Sequence, residues 1–507
     1  MERYPCPPRE RRTRTMNVAD LLWSRARNAP DDPAVVTAGG VLSFRELRRS
    51  AASVAAGLGD RGIGLGDRVA ISMPRGGEAV AAYFGALAAG AVAVFVDQSF
   101  RPAQVANVLA HSESRLVLVG TDQSSAGVEG AGPVAVHGLN ELEGSLDAPR
   151  RRPADEVAQL VYTSGTTGAA KGVMLTHGNL AAAARIIGEY LGLRATDRVA
   201  SVLPLSFVYG LSQLLGSVQA GAALVVDESL LAVDQVEGFR RDGITVLAGV
   251  PALWQQWLAT PGFRDQPIES LRLLTNAGGG LAVETIAAIR AAQPQATFVS
   301  MYGLTEAIRS TYLPPAELDR RPGSIGVPIP ESTIRLLGDD GHDCAPGEVG
   351  EILQTGPTVS LGYWRDPERT ARAFPTDDAG RRWVRTGDLA RRDADGFLYY
   401  AGRRDRQVKS LGYRVNPEEL ELALQSSGFV VSSAVTTHPD PRRGTMLVAH
   451  VVLAPGATSA DVARHCGRDL PRHLQPTRIV ALPELPRLHS GKPDLARLAT
   501  LVATETR

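Results

Sequence analysis

Short apolar runs alternate with longer amphipathic segments through most of the chain, and the spacing within each segment predicts its local structure. Residues 42–58 repeat apolar positions at three- and four-residue intervals and predict a helix, while 68–73 predict a strand, 78–89 a helix and 116–119 a strand. The rhythm continues with a strand at 160–162, a helix at 179–191, strands at 198–204, 244–248 and 271–274, and a helix at 251–259. Strands that alternate with helices predict an α/β fold with parallel sheets. At 323–400 the pattern becomes strand-rich, with turns at 338–341 and 393–396, which predicts a smaller β-rich subdomain. Beyond 402 a helix at 417–425 and strands at 430–436 and 445–453 predict a small α+β unit. The expected organisation is a large N-terminal domain, 17–404, of parallel-type α/β subdomains plus the β-rich one, then a small C-terminal domain, 405–507, with 1–16 as a disordered extension.

Three stretches invite other readings. Residues 79–96 carry no charge between Glu78 and Asp97, but Gly90 divides an alanine-rich helical part from a β-branched run, so a buried helix and strand are expected in place of a membrane span. Gly62, Gly64 and Gly66 precede a strand, whereas a dinucleotide-binding loop follows one, so they are read as a turn. Residues 121–156, rich in Gly, Ser, Pro and charge, are read as a surface linker.

Composition sharpens this picture at a few points. A chain of 507 residues exceeds what one hydrophobic core organises, so at least two domains are expected. Formal net charge is zero, which gives no support to a nucleic-acid or anionic-membrane partner. Cys6, Cys344 and Cys466 are scattered and odd in number, fitting a reducing compartment and no disulfide framework. Arg9, Arg11, Arg12 and Arg14 have no apolar segment behind them, so no signal peptide is indicated and a cytoplasmic location is expected. Of 54 basic residues only Lys171, Lys409 and Lys492 are lysines. Codon bias toward arginine accounts for the default; a surviving lysine then marks a place where a compact ammonium suits a phosphate or a developing charge better than a planar fork.

The stretch LVYTSGTTGAAKGVMLTH, 160–177, places Thr163, Ser164, Gly165, Thr166, Thr167 and Gly168 after a strand-like run, with Lys171 at the rim. Backbone N–H groups of such a loop can turn inward around an anion, which calls for glycine where φ is positive. A solvated turn is the plainer alternative. The spacing is not that of a Walker A loop, because only two residues separate Gly165 from Gly168 and Ala169 and Ala170 precede the lysine. Downstream, NAGGG at 276–280 follows a strand-like run, and MYGLTE stands at 301–306. RTGD ends at Asp388, GRRDRQVKSLGY spans 402–413, and SGK ends at Lys492 near the C-terminus.

Together these motifs resemble those of the adenylate-forming superfamily: acyl- and aryl-CoA synthetases, stand-alone adenylation domains and luciferases. The resemblance runs from about Val18 to Leu498, with Ala170 in place of the usual proline before the loop lysine. It implies that residues 163–168 and Lys171 hold ATP phosphates, that Gly278 and Gly279 lie along adenine and Tyr302 stacks on it, and that Thr305 and Glu306 contact phosphate and Mg²⁺. It implies that Asp388 accepts from both ribose hydroxyls and that Arg403 also reaches the nucleotide. Asp405 matches a hinge, Lys409 and Gly412 a K-x-x-G element of the thioester step, and Lys492 the main catalytic residue of adenylation, with the C-terminal domain as a mobile lid.

The implied reaction activates a carboxylic acid to acyl-AMP with release of pyrophosphate, then transfers the acyl group to the thiol of CoA or of a carrier protein's phosphopantetheine. The substrate pocket implied by the resemblance includes Phe207, Val208, Asn276, Ala277, Gly303 and Ile308, with Ala248 and Gly249 beside them. Where amino-acid-activating relatives carry an aspartate for the substrate amine this chain has Val208, so a plain carboxylic acid is expected over an α-amino acid. An amino-acid-activating enzyme that loads a carrier protein is the alternative, and a catalytically degenerate interaction module a further one. The absence of the long insertion of carrier-protein-specific fatty acyl-AMP ligases tilts the acceptor weakly toward CoA. Arg309 stands either at the acyl pocket or, as is commoner for an arginine, in solvent.

Overall fold

A computed structural model describes residues 15–121, 128, 134–163, 171–229, 231–411, 413–440, 444–488 and 491–504. Two large twisted sheets dominate the N-terminal part. The first contains nine strands among the described residues; its parallel centre includes Val246–Gly249, Leu273–Asn276 and Thr297–Tyr302 side by side. The second contains seven, with Val92–Phe95, Arg68–Ile71 and Ser114–Val119 parallel at its centre and the hairpin Val157–Thr163/Lys171–Thr176 toward one edge.

The uncharged stretch 79–96 forms a buried helix and strand, as its pattern predicts. Helix Gly77–Ala88 has ten buried residues and strand Val92–Phe95 is buried throughout. A helix apolar all round belongs inside a protein. It packs closely on helix Phe44–Asp60 because a Cβ on Gly85 would stand 2.6 Å from Val54 Cβ and 2.7 Å from the Ala51 carbonyl oxygen. Among the described residues no helix is long and apolar enough to cross a membrane. Gly62 and Gly66 lie in left-handed turns, with φ of 73° and 78°.

Two expectations need correction. The stretch read as a surface linker contributes strand Ala135–Gly138, which extends the second sheet parallel to Ser114–Val119. Leu142 is buried as well, against Gly57. Ladder hydrogen bonds are made by backbone, so a polar composition does not exclude an edge strand. Gly362–Tyr363, read as part of the β-rich subdomain, pairs instead with Val173 and Met174. The four-stranded antiparallel sheet is built from Thr333–Leu337, Val349–Thr355, Val384–Arg392 and Leu398–Arg403.

The last part of the chain gathers helices Pro417–Ser426 and Ser459–Asp469 and strands Val430–Asp440, Gly444–Leu453 and Arg478–Ala481 around a separate apolar cluster that includes Leu420, Leu424, Val435, Val451 and Val462. At the other end, Thr15 bridges to Pro153 and Met16 donates to the Arg152 carbonyl at 2.7 Å.

His177 opens helix His177–Leu191, is fully buried, and accepts a hydrogen bond from the Val18 backbone N–H at Nδ1, 3.2 Å away. Burial, helped by the nearby Arg152 charge, lowers its pKa from 6.5 to about 4. The unfolded chain therefore takes up this proton first as pH falls, and the stability contributed by neutral His177 is complete above about 6.5 and is lost toward about 4. Denaturant unfolding across this window should show a slope about 1.4 kcal/mol per pH unit smaller in His177→Asn than in the parent. An unchanged slope would show that another group carries the acid sensitivity.

Candidate active site

The three central strands of the first sheet end together at Gly249, Asn276 and Tyr302, with Gly249 opposite Asn276 and Asn276 opposite Ser300. Ligands of open α/β sheets bind beyond such carboxyl ends. The loops that leave them carry Ala277, Gly278 and Gly279 in one case and Gly303 to Glu306 in the other. Gly278 has a φ of 83°, which favours glycine. Asn276 is buried; its Nδ2 donates to the Gly279 carbonyl at 3.0 Å, while Oδ1 has no partner. An orphaned acceptor beside an exposed glycine loop suits the edge of a polar ring such as adenine.

The loop after Tyr302 is tightly folded. The Ser310 N–H returns to the Tyr302 carbonyl at 3.0 Å, and a Cβ on Gly303 would stand 2.9 Å from Arg309 Cα. Buried Ile308 adopts a φ of 57°, a strained value for a β-branched residue and typical of functional loops.

Two carboxylates organise the charge. Glu306 Oε1 receives Lys171 Nζ at 2.6 Å and the Tyr363 hydroxyl at 2.8 Å, and the Lys171 ammonium lies 4.3 Å from the centre of the Tyr363 ring. Burial pushes the Glu306 carboxyl upward, but the Lys171 charge and both hydrogen bonds outweigh it and hold the group below its ordinary range. Asp388 accepts from the Tyr302 hydroxyl at 2.5 Å and from Arg403 Nη1 at 3.1 Å. Burial raises the Asp388 pKa against the opposing pull of Arg403, Tyr302 and Lys492. Lys492 itself is solvent-exposed, and its charge acts on Asp388 from the C-terminal part of the chain.

Thr163 faces Lys171 across the mouth of an antiparallel hairpin, so the glycine-rich loop joins two strands and does not open a helix. Ser164, Gly165, Thr166, Thr167 and Gly168 lie outside the described residues, as does Gly412, and of Lys409 only the backbone is described, paired with Arg414. Thr305 sits beside Glu306 in the same half-buried loop.

The candidate substrate wall is mixed. Phe207 and Val208 are half-buried at the start of helix Val208–Ala220, and the next residue, Tyr209, donates to the Thr275 carbonyl at 2.9 Å, which ties that helix to the end of strand Leu273–Asn276. Ala277 and Ile308 are buried. Gly249 backs onto the protein core instead of lining the pocket, since a Cβ there would stand 2.7 Å from the Trp254 ring. Arg309 also departs from the commoner expectation of solvent exposure: it is only 2% exposed, and its guanidinium lies 4.8 Å from the centre of the Tyr209 ring. The signal for its burial was present in the uncharged residues around it, from Ala307 to Leu313, but a single arginine among them has no periodicity to read.

Around Asp405, Arg403 Nε and Nη2 grip that carboxylate at 2.9 and 3.1 Å. Arg404 reaches back to Glu351 and Asp339, and Arg406 reaches forward to Glu418 and Glu421. Further contacts join the last part of the chain to the rest: Gln255 Nε2 donates to the Val431 carbonyl at 2.9 Å, and Leu422 lies near Gly280.

The AMP-binding enzyme family matches residues 22–364, more than half of the chain, and the AMP-binding enzyme C-terminal domain matches 419–492. The chain belongs to the AMP-binding, adenylate-forming enzymes. A sulfoacetate–CoA ligase of Cupriavidus necator is 33% identical over 95% of this chain and 97% of its own length. Phenyloxazoline synthase MbtB of Mycobacterium tuberculosis is 32% identical over 96% of this chain, which spans only 35% of that protein. Among solved structures, o-succinylbenzoate CoA synthetase (MenE) of Bacillus subtilis with its acyl-adenylate has a TM-score of 0.85 and 27% identity, over 95% of this chain and 98% of that one. The same synthetase is known with ATP and magnesium ion.

As an adenylate-forming enzyme this chain converts a carboxylic acid and ATP to acyl-AMP and pyrophosphate, and then passes the acyl group to a thiol. Glu306 offers one partly buried carboxylate already paired with a cation, Lys171, which suits Mg²⁺, an ion commonly held by one or two carboxylates plus phosphates. If Glu306 is that carboxylate, Glu306→Gln should raise the Mg²⁺ concentration for half-maximal adenylation by about tenfold or more. A magnesium titration of pyrophosphate release checks this, and an unchanged midpoint would remove Glu306 from the metal site.

Proposed function

We propose that the enzyme is an acid–thiol ligase of the AMP-forming acyl-CoA synthetase type, acting on a carboxylic acid that is not an α-amino acid. The observation that carries this reading is the arrangement around Asp388, a buried carboxylate between Tyr302 and Arg403 with the Lys492 charge beside it. A vicinal diol offers two donors to one carboxylate, so Asp388 takes the ribose, with Tyr302 beneath the base and the Gly278–Gly279 backbone along its edge.

With ribose and adenine fixed, the α-phosphorus faces the ends of the central strands, where the acid lies between Phe207, Val208, Ala277, Gly303 and Ile308. A carboxylate oxygen attacks the α-phosphorus, the bond to the bridging oxygen breaks, and pyrophosphate leaves with that electron pair. Lys492 stabilises the charge that gathers on the α-phosphoryl oxygens, a role suited to a compact ammonium. Lys171 and the loop 163–168 hold the departing phosphates, and Thr305 donates to phosphate. Glu306 would hold Mg²⁺, which when bound would neutralise further phosphate charge.

The thioester step needs Lys492 withdrawn and a thiol admitted. Asp405 lies between an arginine fixed to the N-terminal part and an arginine fixed to the C-terminal helix, so rotation there separates two anchored bodies, 17–404 and 405–507. Rotation would bring Lys409 and Gly412 toward the acyl-adenylate. Relatives named as CoA ligases, matched over 97% and 72% of their own lengths, favour free CoA as acceptor; the relation to MbtB keeps carrier-protein phosphopantetheine as the second reading. Val208, which carries no charge to pair with an ammonium group, and buried Arg309, which would repel one, disfavour a substrate ammonium group.

Pyrophosphate exchange with a panel of acids and amino acids tests the substrate class; exchange with α-amino acids alone would overturn it, and no exchange with any acid would revive a non-catalytic role. Lys492→Ala should abolish acyl-adenylate formation yet retain most thioester formation from supplied acyl-adenylate and CoA. Equal loss in both half-reactions would end the division of labour between the two faces of the C-terminal domain.

A further inference from the structure

Arg309 is among the largest fully buried side chains in the protein. An arginine is always charged, and burying that charge without an anion is costly. Among the described residues no Asp or Glu lies within ion-pair distance of it. Its guanidinium has the face of Tyr209 at 4.8 Å and one marginal contact, Nη2 to Ser212 Oγ at 3.5 Å, while Nε has no hydrogen-bond partner. Tyr190 is also within electrostatic reach, and it is a neutral phenol stacked on Tyr312.

The position is fixed by backbone. The Arg309 carbonyl accepts from Gln354 Nε2 at 3.0 Å, and the left-handed Ile308 just before it turns the chain. The group that the guanidinium stacks on belongs to the candidate acyl wall: Tyr209 follows Phe207 and Val208, and its hydroxyl is tied to Thr275, next to Asn276. Arg309 also lies only three residues beyond Glu306, so their Cα atoms are at most about 11 Å apart. A cation held without a counter-ion among the described residues, stacked on Tyr209 beside the candidate acyl wall and close to the reaction centre, is a preformed receptor for an anion.

We propose that Arg309 binds a second anionic group, a carboxylate or sulfonate, on the acid substrate, so that the enzyme activates one end of a short dianionic acid. The planar fork presents paired N–H donors, which suits both oxyanions. Selectivity follows from the same geometry, because a monoanionic acid of equal length leaves the buried guanidinium unpaired. The inference rests on the adenylation reading and narrows its substrate.

The test is pyrophosphate exchange by the full-length protein with malonate, succinate and sulfoacetate against propionate, butyrate and benzoate. At least one dianionic acid should exceed every monoanionic acid in kcat/KM by about 10²-fold. Arg309→Met should erase that preference through the KM of the dianionic acid, bringing the ratio of kcat/KM between dianionic and monoanionic acids to about one, with the KM of ATP as the control for the nucleotide side. If Arg309→Met does not fold, Arg309→Lys, which keeps the charge and loses the fork, should show an intermediate rise in that KM. Malonate and succinate against sulfoacetate distinguish carboxylate from sulfonate as the second group. A preference of the parent enzyme for monoanionic acids overturns the proposal while leaving adenylation intact, and so does an undiminished dianion preference in Arg309→Met. No exchange with any acid overturns the adenylation reading and the inference with it.

Discussion

Three parallel strands stop side by side at Gly249, Asn276 and Tyr302, and the candidate site hangs from that edge. Parallel strands all present the same end to one side, so their outgoing loops converge on one crevice. The glycine loop, the strained turn at Ile308 and the first turn of helix Val208–Ala220 all border it. The second sheet contributes through a hairpin whose mouth, Thr163 and Lys171, is brought to Glu306 by an ion pair that crosses between the two sheets.

Charge within the crevice is distributed by role. Glu306 is held ionised by Lys171, which suits a carboxylate meant for a cation; Asp388 is held by a hydroxyl and a guanidinium, which suits one meant for hydroxyl donors. Among the described residues Arg309 has no carboxylate partner, and that asymmetry separates it from the arginines around Asp405, each of which is paired with carboxylates. In the proposed site the nucleotide side is therefore supplied with matched pairs, and the acyl side with a cation unmatched among the described residues.

The segment around Asp405 is the pivot of the proposed rotation. Arg404 is paired with Glu351 of the four-stranded sheet and Arg406 with Glu418 and Glu421 of the following helix, so rigid anchors flank a single short span. Among the described residues Gln255 donates to the Val431 carbonyl across the two parts, and Asn416 Nδ2 donates to the Ala401 and Arg403 carbonyls.

The sequence by itself determined the α/β alternation, the β-rich subdomain, the small C-terminal unit and the motifs around Lys171, Tyr302, Glu306, Asp388 and Lys492, because periodicity and short glycine-rich signatures are local properties. Only the tertiary structure decided that Ala135–Gly138 is an edge strand and that Gly362–Tyr363 belongs to the second sheet, since strand pairing depends on backbone neighbours far away in the chain. The same holds for Arg309. Its residue type predicts solvent, and its burial against Tyr209 comes from the way a strained loop and a distant helix close over it, a relation that no window of sequence contains.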